Sequence, residues 1–175
     1  MQNLEQKFRC ADLAAATAAA VAMGATDRGL LLQHDLFFSA SHARLKLRLQ
    51  NSGGGAAPQR AELISYLRPD ASRPRTCDYH LYPVSDPEAL IAVLTQSLGT
   101  PRSLKKTRRL FIYGATRIHL DTVDGFPPAA DTFCELETVL TTQSLAEAQS
   151  EIAHVIATLH LTESIPTAYI DLLRA

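Results

Sequence analysis

Arg44-Leu45-Lys46-Leu47-Arg48-Leu49 alternates base and leucine without a break. In a strand, residues i and i+2 share a face, so the three bases stand on one side and the leucines on the other. Asn3-Leu4-Glu5-Gln6-Lys7-Phe8-Arg9, Arg117-Ile118-His119-Leu120-Asp121 and Phe133-Cys134-Glu135-Leu136-Glu137 follow the same rule. Bases of this kind hold phosphate oxygens. Carboxylates gathered opposite them suit Mg²⁺ or Mn²⁺, which takes one or two protein carboxylates plus substrate phosphates. One alternating strand is the ordinary mark of an antiparallel sheet with a solvent face. Four of them, with bases and acids on matched strands, point to a shared site for a multiply charged anion and its metal ions.

Parity gives the candidate wall. It comprises Glu5, Lys7 and Arg9; Arg44, Lys46 and Arg48; Arg68, two residues from Tyr66; Lys106 and Arg108, with Lys105 and Arg109 on the other face; Arg117, His119 and Asp121; and Glu135 and Glu137. Bases outnumber acids, so the enclosed space attracts anions. Phosphates held by Arg and Lys with a bridging metal are what phosphoryl or nucleotidyl transfer needs. His119 fits a general base, or a tunnel residue hydrogen-bonded to a carboxylate. Tyr169 reaches a tunnel mouth or anchors the tail in the core.

The elements that must position these residues are punctuated clearly. A strand from about Leu4 to Cys10 runs into an Ala-rich helix capped by Asp12 and ended by Gly24. Strands are expected at Gln33 to Phe38, Ala43 to Gln50, Glu62 to Arg68 and Thr76 to Val84. The loop Asn51 to Pro58 has glycines but no Lys-Ser/Thr ending, and it precedes a strand, which argues against a phosphate-binding P-loop. Asp86, Pro87 and Gly99 bound a second helix. Three strands follow at Leu104 to Tyr113, Arg117 to Val123 and Thr132 to Leu140. Ser144 and Glu147 form a capping box for a third helix, and a short amphipathic segment, Ala168 to Leu173, closes the chain. The fold class is α+β: a closed eight-stranded antiparallel β-barrel with a charged interior, covered outside by three to four helices.

Length and composition agree. The chain has 175 residues, 46% of them hydrophobic, which fits one globular domain over 1–175. Seventeen bases against 18 acids give a net charge of −1, which argues against a nucleic-acid partner. No signal peptide and no apolar run of membrane-spanning length is expected, so no membrane partner is either. Cys10, Cys77 and Cys134 are widely spaced and read as reduced core residues of a cytoplasmic protein. A monomer or a homodimer is expected.

In order and number, these motifs resemble the CYTH proteins, also called triphosphate tunnel metalloenzymes. Asn3-Leu4-Glu5-Gln6-Lys7 resembles their E-x-E-x-K signature, and Gln33-x-Asp35-x-Phe37-Phe38 their second strand. Arg44 to Arg48, Leu63-Ile64-x-Tyr66-x-Arg68, Lys106-x-Arg108, Arg117 to Asp121 and Glu135-Leu136-Glu137 follow in family order. The resemblance implies a tunnel binding a triphosphate end-on with Mg²⁺ or Mn²⁺. Glu5, Asp121, Glu135 and Glu137 would be metal ligands. Lys7, Arg9, Arg44, Lys46, Arg48, Arg68, Lys106, Arg108 and Arg117 would hold phosphates, with Lys7, Arg48, Arg117 and His119 catalytic. The implied substrates are ATP, thiamine triphosphate or tripolyphosphate. The activity would be that of a class IV adenylate cyclase, or alternatively of a triphosphatase. A non-catalytic polyphosphate- or nucleotide-binding protein is the third reading. Asn3 stands where the family signature has its first Glu, which removes one negative charge from the metal corner.

Overall fold

The computed structural model describes residues 2–52, 59–67, 73–128, 130–141 and 143–173. Five strands and two helices form the first part: β1 (Gln2–Arg9), α1 (Leu13–Ala22), β2 (Thr26–Phe38), β3 (Arg44–Ser52), β4 (Arg60–Leu67), β5 (Arg75–Pro83) and α2 (Pro87–Leu98). The second part holds β6 (Arg102–Tyr113), β7 (Thr116–Val123), β8 (Thr132–Val139), α3 (Leu145–Thr158), β9 (Ser164–Ile165) and α4 (Tyr169–Leu172). The strands run β5-β4-β3-β2-β6-β7-β8-β1-β9, and a further β5–β1 pairing closes the sheet into a barrel. Every pairing is antiparallel. The closed eight-stranded antiparallel barrel is as expected, with one short strand added and four helices outside.

The greasy face of each alternating strand points outward, and the helices cover it. Leu4 and Phe8 of β1, Ile118 and Leu120 of β7, and Cys134 and Leu136 of β8 pack beneath α1 and α3. Each large side chain so buried contributes on the order of 1.5–3 kcal/mol. α1 contributes chiefly Ala16 and Ala20, one turn apart, whose small side chains let the helix lie close to the sheet. Asp12 accepts from Ala15 N, Asp86 caps α2, and the Ser144–Glu147 capping box starts α3. Leu36, Phe38 and Leu47 are covered by Leu90, Ile91 and Leu94 of α2.

Two features depart from the expected elements. β2 starts at Thr26, not Gln33, and a register shift between Asp27 and Leu30 absorbs the extra residues. Gly29 adopts φ +87 there, and its N–H donates to Asp27 Oδ1. Such a bulge reads as a turn in sequence because glycine supplies the positive φ. β9 was not anticipated either. β1 pairs with β5 only from Gln2 to Glu5, and β9 then takes the edge at Lys7 and Phe8. Beyond it, Leu104, Val123, Phe133, Ile165, Ala168, Tyr169 and Ile170 fill that end of the barrel with apolar side chains. The tunnel is therefore stopped at one end by α4 and its approach.

Candidate functional site

The inward faces of β1 to β8 enclose a cavity of about 380 Å³. Asn3, Glu5 and Lys7 line it from β1, Gln33 and Asp35 from β2, and Lys46, Arg48 and Gln50 from β3. Arg60, Glu62 and Tyr66 come from β4, Cys77 and Tyr79 from β5, Lys106 and Arg108 from β6, Arg117 and His119 from β7, and Glu135 and Glu137 from β8. Seven bases face five acids among these residues. The charges are knitted together. Asp35 receives Arg48 through Nε and Nη2, both at 2.7 Å, and Lys46 Nζ at 3.0 Å. Glu135 pairs with Lys7 Nζ through one oxygen and with Arg108 Nη2 at 2.7 Å through the other. Glu5 lies 3.4 Å from Arg75 Nη2, and Glu137 3.7 Å from Arg117 Nη1.

Burial opposes every one of these charges, and partners decide the outcome. Burial raises the Asp35 carboxyl, but Arg48 and Lys46 outweigh it and hold the pKa well below the usual range. For Asp121, burial is outweighed by Arg108 and Lys106, leaving a pKa of about 2. Lys106 goes the other way: burial, then the adjacent Arg108 charge, lowers its pKa to about 7 despite Asp121. Burial and Arg108 also push His119 below the ordinary imidazole value, against the pull of Glu137 and Glu135. Glu135 is held well below normal, mainly because Lys7 overcomes its burial.

His119, Glu135 and Glu137 bring one ligand atom each to within 4.8 Å of one another. His119 Nδ1 lies 3.8 Å from Glu135 Oε2 and 3.8 Å from Glu137 Oε1. Two buried atoms, His119 Nδ1 and Asn3 Oδ1, have no hydrogen-bond partner among the described residues. Buried polar atoms are ordinarily satisfied. A divalent cation held by His119, Glu135 and Glu137 would satisfy His119 Nδ1, and two carboxylates with an imidazole fit such an ion.

The structure brings together Glu5, Lys7, Lys46, Arg48, Lys106, Arg108, Arg117, His119, Glu135 and Glu137, all expected from parity. It does not bring Arg9, Arg44 or Asp121 to the cavity lining. Arg9 sits at the stopped end, over the rings of Phe133 and Phe126, and donates to Ala130 O. Arg44 pairs with Asp171 of α4 at 2.6 Å. Asp121 is fully buried beneath Arg108 and Tyr169, where both its oxygens take Arg108 at 2.7 Å and Oδ2 accepts from Tyr169 Oη at 3.1 Å. It positions a base instead of facing the cavity. Arg68 lies outside the described residues.

No protein-family model matches the chain, and no curated protein matches it in sequence. Solved structures do match it over nearly its whole length. The PH1012 protein from Pyrococcus horikoshii OT3 has a TM-score of 0.80 at 23% identity, covering 98% of this chain and 99% of that one. A Vibrio parahaemolyticus protein to which adenylate cyclase activity is ascribed has a TM-score of 0.76 at 18% identity, covering 99% and 98%. A Hippeastrum protein ascribed adenylyl cyclase activity, and described as having a dominant triphosphatase activity, has a TM-score of 0.66 at 14% identity, covering 99% and 95%. The chain thus shares the closed antiparallel tunnel fold of these proteins.

The tunnel has lining residues that parity alone did not single out. Asp35 was noted only as part of a motif, yet it anchors Lys46 and Arg48. Gln33 and Gln50 lie on the same inner faces as Asp35 and Arg48 and could have been found by extending the alternation by two. Cys77, expected in the core, is buried but faces the tunnel. Tyr169 lies beneath Lys7 and Lys106, whose Nζ atoms stand 4.2 and 5.4 Å from its ring centre. It therefore both anchors the tail and floors the tunnel.

Proposed function

We propose that this chain is a divalent-metal-dependent enzyme acting on a small triphosphate bound end-on in the tunnel, of the class IV adenylate cyclase type, converting ATP to cyclic AMP and pyrophosphate. One observation carries the reading: Lys7, Lys46, Arg48, Lys106 and Arg108 converge from three strands on the cavity that also holds His119, Glu135 and Glu137. Glu135, Glu137 and His119 would hold the metal, with Asn3 and Glu5 beside them. The ion supplies Lewis-acid neutralisation of phosphate oxygens. The lysines and arginines draw in the phosphates and stabilise charge developing on the leaving pyrophosphate. Arg117, whose side chain is 43% exposed, meets the incoming anion near the mouth. His119, kept neutral by burial, serves as a ligand in preference to a base because its Nδ1 faces the carboxylates.

Cyclisation requires the ribose 3′-OH to reach the α-phosphorus, and hydrolysis requires water in line with the terminal one. Both use this clamp. Triphosphate hydrolysis is the second reading, favoured by the likeness to the Hippeastrum protein with its dominant triphosphatase activity. The test is turnover of ATP, thiamine triphosphate and tripolyphosphate with Mg²⁺ and with Mn²⁺, products resolved. Cyclic AMP with pyrophosphate supports the first reading. Release of orthophosphate supports the second. Binding without turnover leaves a polyphosphate- or nucleotide-binding protein, and absence of binding overturns the proposal.

A further inference from the structure

Away from the charged clamp, the tunnel wall carries a pair of amides that the phosphate chemistry does not use. Gln33 is 4% exposed and faces the cavity from β2. Its Nε2 donates to Gln50 Oε1 at 2.6 Å, and the two residues are direct cross-strand partners. Its Oε1 is buried with no hydrogen-bond partner among the described residues. A carboxamide offers an N–H₂ and a carbonyl oxygen. Two amides joined by one hydrogen bond therefore leave one acceptor, Gln33 Oε1, and one donor, Gln50 Nε2, side by side. Turning both amides over exchanges the roles but still leaves one of each.

This donor–acceptor couple matches a ring edge that carries an exocyclic amine beside an unprotonated ring nitrogen. Glutamine recognises adenine by that same pattern, accepting from the amine and donating to the ring nitrogen. The surroundings suit a flat heterocycle. Leu31 precedes Gln33 by two residues on the same face, and Leu81 and Leu110 line the same cavity. Arg48, two residues from Gln50, and Lys106, the cross-strand partner of Gln33, put the phosphate clamp next to the pair.

We infer that Gln33 and Gln50 form a base-reading subsite, selecting a triphosphate whose base presents an amino-substituted ring edge such as that of adenine; this rests on the triphosphate reading above. A bare polyphosphate has nothing for the pair to read. Gln50 is the specificity-determining residue open to test, because its Nε2 is the donor that the couple presents, its Oε1 being taken by Gln33.

The experiment measures binding by calorimetry of ATP, of purine riboside triphosphate, which lacks the 6-amino group, and of tripolyphosphate. The full chain is used as wild type, Gln50→Leu and Gln50→Glu, each checked for folding by circular dichroism. Gln50→Glu keeps the acceptor for Gln33 Nε2 but replaces the donor with a second acceptor, so it tests the couple even if Gln50→Leu does not fold. The wild type is expected to prefer ATP over purine riboside triphosphate by about tenfold, equivalent to ~1.4 kcal/mol. In either variant the affinity of both nucleotides relative to tripolyphosphate is expected to fall by about tenfold, because the donor to the ring nitrogen they share is gone. A wild type that binds all three ligands but does not discriminate between the two nucleotides overturns this inference and leaves the triphosphate reading standing. So does an unchanged preference for the nucleotides over tripolyphosphate in both variants. If none of the three binds, the triphosphate reading fails and this inference falls with it.

Discussion

Lys106 offers the sharpest handle on the tunnel, because its proton is poised near neutrality. Burial and the Arg108 charge bring its pKa from 10.5 to about 7, so in the free protein it is largely neutral at mildly alkaline pH. A triphosphate placed beside it reverses the electrostatics: several negative charges favour the ammonium and return the pKa toward its ordinary value. Anion binding is then linked to proton uptake above about pH 7. If only the charged form binds well, affinity falls tenfold per pH unit, about 1.36 kcal/mol each. Between about pH 6 and pH 8.5 the loss is roughly 2 kcal/mol, or about 30-fold. Tripolyphosphate binding to wild type and to Lys106→Met, measured by calorimetry in buffers of different ionisation heat, separates this from the ligand's own titration, which is common to both proteins. The wild type should lose affinity more steeply with pH and take up close to one proton more than the variant at about pH 8.5. Equal pH slopes in the two proteins would refute the reasoning. The same depressed pKa makes the free protein's stability rise with pH between about 7 and 10.5, where the unfolded chain holds the proton and the folded chain does not.

Three more outcomes are expected. Asp121→Asn removes the charge that both ends of the Arg108 fork hold at 2.7 Å, so chemical denaturation at neutral pH should show a loss on the order of 3–5 kcal/mol. The Asp121 contribution is fully present above pH 3.8 and is lost as pH falls through about 2, so the wild-type advantage over Asp121→Asn should shrink in that acid window and not above it. Glu137→Ala should leave the protein folded, since among the described residues Glu137 makes no ion pair shorter than 3.7 Å, but should abolish metal-dependent turnover; unchanged metal dependence would remove it from the ligand set. Asn3→Glu restores a carboxylate beside Glu5, worth roughly 4 kcal/mol with one unit charge about 4 Å away at an effective dielectric of 20, so metal titration should show tighter binding; no tightening would place the ion away from β1.

The architecture was legible wherever one residue type carried one message. Caps at Asp12, Asp86 and Ser144 marked the helices, and unbroken alternation marked β3 and β7. Alternation names the face of a strand but says nothing about height along the barrel axis. That is why Arg9 and Arg44 were placed with Lys7 and Lys46: they share a parity, yet Phe133 and α4 occupy the end they reach. Asp121 shows the second limit. It keeps the inward parity of His119 but is covered by Arg108 and Tyr169, so its charge orients a base instead of meeting the open cavity. Arg75, buried beside Glu5, was invisible because its strand was expected to begin one residue later, at Thr76. β9 is two residues long, below the length at which periodicity exists.

A charged lumen adds nothing to folding by itself. Replacing buried ion pairs by well-packed apolar residues is often neutral or stabilising, so stability does not explain this interior. Its pairing pattern points to preorganisation instead. Arg48 and Arg108 both engage their carboxylates, Asp35 and Asp121, through Nε and Nη2, one edge of the guanidinium. Each fork is thus locked in orientation, while its Nη1 is turned away from the carboxylate that holds it. Asp35 and Asp121 are exposed by no more than 1%, each covered by the base it holds, so they fix the forks from beneath. Donors held in this way need no reorganisation when a polyanion arrives, which is the condition under which electrostatic stabilisation of a transition state is largest. Of the acids that line the lumen, Glu135 and Glu137 gather with His119 on one wall, across from Lys46 and Arg48 on β3. An anion entering between them meets fixed bases on one side and the candidate metal ligands on the other.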